Sequence, residues 1–188
     1  MSHLFKLVDL AHSLDNESPD LLTRDLGRRA FRYFEHELKQ TPEGQTLILD
    51  GKDIILFDSS FFDEAILSLF VKLVGGEYGN RFLLLYDISD DSVVNIEGAI
   101  KRRNLKNAIP VKNRDQWRFV GTLEPNLEET ARLLVRKKQL TARELADLLK
   151  IEINNASNRL RRLHELRLAK REELSSESGL YHQYSALD

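Results

Sequence analysis

Residues 127–188 compress three helical patterns and two strand patterns into one short stretch, and that order leaves few ways to bury a core. The first helix is expected from about Leu127 to Lys137, with Leu127, Ala131, Leu134 and Val135 turned inward. The second opens at Thr141-Ala142-Arg143-Glu144, a capping box in which Thr accepts from the backbone three residues on and Glu reaches back. Leu145, Leu148 and Leu149 pack inward from it. A tight turn at Lys150–Ile153 leads to a third helix, about Asn154 to Leu166, with Ala156, Leu160, Leu163 and Leu166 facing the core. Ala169–Leu174 and Leu180–Ala186 read as a hairpin around the turn Ser175-Ser176-Glu177-Ser178-Gly179.

The rest of the chain is of another kind. Strands and helices alternate through residues 1–121, which argues for an α/β layer. Phe5–Leu10 is read as a first strand and 13–20 as a polar loop. A helix capped by Thr23 runs to about Lys39, with Leu26, Ala30, Phe34 and Leu38 at helical spacing. Thr46–Leu49 and Asp53–Phe57 read either as two strands or as one bent strand. Ser60-Phe61-Phe62-Asp63 has capping-box form, with Asp in the acidic position, and opens a helix that Gly75-Gly76 stops. Arg81–Ile88 is a continuous apolar strand, as expected in a mainly parallel sheet. Ser89 caps a helix marked by Val93, Ile96 and Ile100, and short closing strands are expected at Ala108–Val111 and Trp117–Val120. Residues 122–126, with Pro125, form the expected linker to the domain at 127–188.

Composition bounds the chemistry. There are no cysteines, which excludes disulfides, thiolate zinc sites and cysteine nucleophiles. The five histidines show no metal-ligand spacing, and no Ser-His-Asp set follows from the spacing. Gly75-Gly76-Glu77-Tyr78-Gly79 follows a helix, whereas a phosphate loop joins a strand to a helix. No cofactor, no metal and no catalytic residue is therefore expected, and the chain is read as a non-enzyme. No apolar run approaches the roughly 20 residues of a membrane span, and no secretory signal is visible, so a cytoplasmic protein is the expectation. The net charge is −2. Residues 1–120 carry −3 and residues 121–188 carry +1, so any nucleic-acid affinity has to come from local clustering.

Residues 5–120 resemble the STAS-like family, relatives of bacterial anti-sigma-factor antagonists. The resemblance rests on an apolar strand ending in Asp58-Ser59-Ser60 and running into a helix, on Thr23-Arg24, and on the strand at Arg81–Ile88 followed by a helix. It implies a small sheet with packed helices and a role in binding a protein or small ligand. In the antagonists the second Ser of the motif is phosphorylated; by position that residue is Ser60. The usual Gly after it is replaced by Phe61, and Asp63 and Glu64 add negative charge. Capping of its helix is enough by itself to explain the residue.

Residues 127–188 resemble the winged helix-turn-helix of bacterial regulators, and the Leu140-Thr141 opening followed by Glu144-Leu145-Ala146 carries the likeness. A polar third helix and a wing suit DNA. Asn154, Asn155 and Asn158 are the candidate base contacts, because Asn can pair with adenine through two hydrogen bonds. Ser157, Arg159, Arg161 and Arg162, with Lys170 and Arg171 on the first wing strand, are candidate phosphate contacts. The sequence departs from the pattern at four places. Lys150 and Arg167 stand where Gly is frequent, Glu152 stands where Ser or Thr caps, and the wing tip carries Glu177. The reading is a cytoplasmic transcriptional regulator whose STAS-like domain senses a protein or ligand and whose winged helix binds double-stranded DNA, as a homodimer, without membrane contact. The alternative is a non-catalytic adaptor in a partner-switching pathway, with the winged helix used for protein contacts.

Overall fold

The structure is a computed structural model that describes residues 2–14, 18, 20–176 and 179–187. The chain divides into two compact units, Met1–Thr122 and Leu123–Asp188. Both mix helices with strands.

The first unit is an α/β layer. Its strands are β1 (His3–Lys6), β2 (Thr46–Asp50), β3 (Phe82–Tyr86), β4 (Ala108–Asn113) and β5 (Gln116–Gly121), lying side by side in that order. The first three pairings are parallel and the last is antiparallel. Parallel neighbours in sequential order, joined by right-handed crossovers, send every connecting helix to the same side of the sheet. The core bears this out. Leu47, Leu49, Leu83, Leu85, Ile109 and Val111 project from alternate strand positions into one cluster with Phe34, Phe61, Phe62, Phe70 and Ile96 of the helices. Register keeps that face in line, with Leu47 opposite Leu83 and Leu85 opposite Val111. Truncating a fully buried aromatic such as Phe62 to Ala costs about 3–5 kcal/mol.

Two strand expectations are corrected. Only His3–Lys6 pairs with β2, and α1 (Leu7–Ser13) begins where a strand over Phe5–Leu10 was expected. Leu7, Leu10, Ala11 and Leu14 are all buried at helical spacing, a pattern a six-residue window hides. The loop expected at 13–20 includes 15–17 and 19, which lie outside the described residues. Asp53–Phe57 forms no strand. After β2 the chain turns at Gly51, Asp53 takes a positive φ of 68°, and Phe57 makes only a single bridge to Leu21.

The helix starts are set by caps. Thr23 Oγ1 accepts from Leu26 N–H at the start of α2 (Arg24–Gln40), and Ser89 Oγ accepts from Ser92 N–H at the start of α5 (Asp90–Arg102). The helix after Asp58-Ser59-Ser60 runs as α3 (Ser59–Phe62), one π-helical turn (Asp63–Leu67) and α4 (Ser68–Val74). Arg103 fastens that wider turn. Its guanidinium pairs with Asp63 Oδ1 at 2.6 Å and donates to Asp63 O and Ser68 Oγ.

The second unit holds α6 (Pro125–Lys137), β6 (Gln139–Thr141), α7 (Ala142–Leu149), α8 (Ile153–Glu165), β7 (Lys170–Ser176) and β8 (Gly179–Ser185). α6 starts at Pro125, two residues before the expected Leu127, because Pro suits the first helical position. β6 was not foreseen; three residues give no period to read. It pairs with β8, so the sheet order is β6-β8-β7. The core joins Leu127, Ala131, Leu134, Leu145, Ala156, Leu160, Leu163 and Tyr184. The Thr141–Glu144 capping box forms in both directions, with Thr141 N–H donating to Glu144 Oε2 at 2.7 Å and Glu144 N–H to Thr141 Oγ1 at 3.3 Å. Lys150 ends α7 with φ 54°, and Arg167 follows α8 with φ 61°, the left-handed conformation that favours Gly at both places. The hairpin tip expected at Ser175–Gly179 includes Glu177 and Ser178, which lie outside the described residues.

Close helix approach supplies a test. A Cβ on Gly27 of α2 would lie 2.8 Å from the Phe61 carbonyl oxygen. Helix propensity favours Ala by about 1 kcal/mol, but forcing two packed backbones apart costs about 1–3 kcal/mol. Gly27→Ala is therefore expected to lower the urea midpoint of the first unit, read from the fluorescence of the sole tryptophan, Trp117. A raised midpoint would show that the approach of α2 to α3 is slack.

Candidate functional site

The polar face of α8 is built by the same periodicity that buries Ala156, Leu160 and Leu163. Asn154, Asn155, Ser157, Asn158, Arg161 and Arg162 are exposed on it. Arg159 is not a free cation. Its side chain is only 15% exposed, 3.3 Å from Glu129 of α6, and its Nε donates to Asn155 Oδ1 at 3.1 Å. It ties α8 to α6. Arg161 donates to Asn158 Oδ1 at 3.0 Å and lies 3.9 Å from Glu165; Arg162 pairs with the same carboxylate at 3.1 Å. Exposed pairs of this kind hold by about 0.2–1 kcal/mol, so a phosphate can replace Glu165. The carbonyl oxygens of Asn155 and Asn158 are engaged by arginines. Two-point pairing with adenine needs that oxygen as well as the amide NH2, so those two Asn must first release their arginine.

The hairpin side is mixed. Lys170, half-buried, opens β7, and Arg171 after it is exposed. Glu172 and Glu173 follow, also exposed, and Glu173 lies 4.0 Å from His182 of β8. A groove of about 750 Å³ runs between α8 and the hairpin. Ser157 and Arg161 of α8 line it with Arg171 of β7 and with Thr141 and Arg143 at the start of α7. Sequence reasoning missed Arg143. Its place in the first turn of α7, beside a cap already recognised, was the available signal. Asn154, Asn155, Asn158, Arg159, Arg162 and Lys170 lie outside the lining of this groove.

The titrating groups of this unit answer to burial. Burial pushes the Tyr184 phenol up, while Arg171 and Arg161 pull it down, so both guanidiniums act on one buried ring. Burial also holds the His164 imidazole below its ordinary value. Its Nδ1 lies 3.0 Å from the Ala169 carbonyl, so Nδ1 carries the proton of the neutral ring and donates. Glu152 stands at the N-cap of α8 and makes no side-chain cap bond.

At Asp58-Ser59-Ser60 the expected capping box is corrected. Asp58, not Ser60, is the cap of α3. Its Oδ1 accepts from Ser60 N–H at 2.9 Å and Phe61 N–H at 2.7 Å, because the helix begins two residues earlier than the Ser60 box requires. Ser60 lies within the first turn, half-buried, and its hydroxyl donates to the same oxygen at 2.9 Å. Burial alone would raise the Asp58 carboxyl, but the bonds from Phe61 N–H, the Ser60 hydroxyl, Thr23 N–H and Ser60 N–H outweigh it and hold the value below the ordinary one. The nearby cations are engaged, Arg24 by Glu64 at 2.5 Å and Arg103 by Asp63. A phosphate on Ser60 would meet the Asp58 carboxylate directly.

Among the described residues no group of three or more His, Asp or Glu side chains could hold a metal ion. No helix among them is long and apolar enough to cross a membrane. The chain matches no protein-family model, no curated protein and no solved structure.

Two substitutions probe these sites. Asp58→Ala is expected to lower the stability of the first unit by about 1 kcal/mol at neutral pH, read through Trp117. The folded carboxyl titrates below the ordinary 3.8. The wild-type advantage is therefore full above that value and is lost as pH falls through the lower folded one; an advantage that persists in the protonated state would rule out the charged cap. Glu152→Ser supplies the missing cap and is expected to stabilise α8 by about 1 kcal/mol. Slower hydrogen exchange at the Asn154 and Asn155 amides would report it, and unchanged exchange would count against it.

Proposed function

We propose that this chain is a DNA-binding regulator in which residues 123–188 act as a winged helix and residues 1–122 as a STAS-like domain that takes a protein partner or small ligand. One observation carries the reading. A single exposed face of α8 presents Asn154, Asn155 and Asn158 for base edges and Arg161 and Arg162 for phosphates. The left-handed turn at Lys150 and the completed cap of α7 hold that helix beside the hairpin, the arrangement that lays a recognition helix in the major groove. Arg171 supplies a wing cation. Binding as a homodimer fits the two-fold symmetry usual in operators. A second reading, an adaptor using both domains for protein contacts, is favoured by the exposed Glu172 and Glu173 and by the carboxylate partners the α8 arginines already have.

Filter binding of the full chain to a mixed duplex pool, across salt, is the test. Each phosphate contact contributes about 0.9 to the slope of log affinity against log salt. Arg161→Ala with Arg162→Ala is expected to weaken binding to all sequences and to flatten that slope by about 2. Asn154→Ala should change which sequences are retained, and Arg159→Ala should lower stability through lost packing of α6 on α8. Absence of binding at low salt, or an unchanged slope in the double variant, would leave the adaptor as the better account.

A further inference from the structure

The groove between α8 and the hairpin has features that DNA contact leaves unexplained. Ile153 is 50% exposed, Leu180 71% and Tyr181 39%, and all three line it. A phosphate–sugar backbone offers little apolar surface to cover them. Around them stand guanidiniums from three separate elements, Arg143 of α7, Arg161 of α8 and Arg171 of β7. No carboxylate is among the described residues that line the groove. Its volume of about 750 Å³ is enough for a few side chains.

We infer that this groove binds an acidic segment of another protein, one that sets leucine-like anchors on Ile153, Leu180 and Tyr181 and carboxylates on Arg143, Arg161 and Arg171. The charge selects the occupant. A basic segment would face three like charges, and a neutral apolar one would cover Arg143 and Arg171 without bringing a carboxylate to them, which is costly. Carboxylates match the two-pronged geometry of arginine. An amphipathic helix with anchors at i, i+3, i+4 and i+7 is the common way to fill such a groove. Tyr184 lines the same groove, and Arg171 and Arg161 both pull its phenol down against the effect of burial. Binding to the groove stands apart from DNA binding. A consequence, competition between the acidic segment and DNA for Arg161 and Arg171, rests on the DNA reading.

The test uses the full chain and a fluorescently labelled synthetic peptide with Leu at those four spacings and Glu elsewhere, followed by anisotropy. Two control peptides replace Glu by Lys or Leu by Ser. Saturable binding of the Glu/Leu peptide alone is expected. Leu180→Ser and Arg171→Ala should each weaken it about tenfold or more, while Arg132→Ala on α6 should not. Leu180 is mostly exposed, so its variant is expected to keep the wild-type circular dichroism and melting curve. Equal binding of the Lys peptide, no binding of the Glu/Leu peptide, or no effect of Leu180→Ser would overturn the proposal. So would Ile153→Ser and Leu180→Ser weakening duplex DNA while sparing the peptide, since the groove would then seat a nucleic-acid strand. Peptide binding without DNA binding would sink only the regulator reading; DNA binding without peptide binding would sink only this one.

Discussion

The Asp58 carboxylate holds together the part of the first unit where three helices begin. It caps α3, receives the Ser60 hydroxyl, and accepts Thr23 N–H at 3.4 Å from the start of α2. The segment leading into it is fixed from both sides. Leu21 N–H donates to Leu56 O and Asp58 N–H to Leu21 O on one side. On the other, Phe57 N–H donates to Ser92 Oγ and Asn95 Nδ2 to Phe57 O, both from α5. A parallel sheet needs such a hub. Its crossovers leave the strand ends through irregular backbone, and every buried N–H and C=O there must find a partner. Residues 55–58 meet that need without forming a strand.

The same hub limits what Ser60 can do. A phosphate beside a helix N-terminus is favoured by free N–H groups and the helix dipole. At α3 the Ser60 and Phe61 N–H groups are already taken by Asp58, and the surroundings are negative. The site is a satisfied cap, and a phosphate placed there would act by displacing Asp58, which would loosen the start of α2 along with that of α3.

Legibility in the sequence followed the strength of local signals. Thr23, Ser89 and Thr141 were readable as caps because each precedes a long apolar period. The Thr141–Glu144 box and the exposed Asn/Arg set of α8 were visible for the same reason. Short elements were not. β1 and α1 share a run in which strand and helix periods cannot be separated, and β6 is stabilised by pairing with β8 rather than by any pattern of its own. The Ser60 box looked correct because Ser caps helices well, yet Asp58 two residues earlier reaches two backbone N–H groups and displaces it. The role of Arg159 depends on Glu129, 30 residues away on another helix, and no local reading could find it.

In the second unit, charge is arranged rather than accumulated. Near-neutral overall, it keeps Arg159, Arg161 and Arg162 against Glu129 and Glu165, so those guanidiniums are held in place before any ligand arrives. That ordering lowers the entropy lost on binding but obliges a ligand to displace a carboxylate. A polyanion meets this demand with charge alone, and its hold must fade as salt rises. Apolar contact on Ile153 and Leu180 is insensitive to that screening. If both proposed ligands bind, a partner that uses both kinds of contact would keep its grip at salt concentrations where DNA lets go, and ionic strength itself would decide which ligand occupies Arg161 and Arg171.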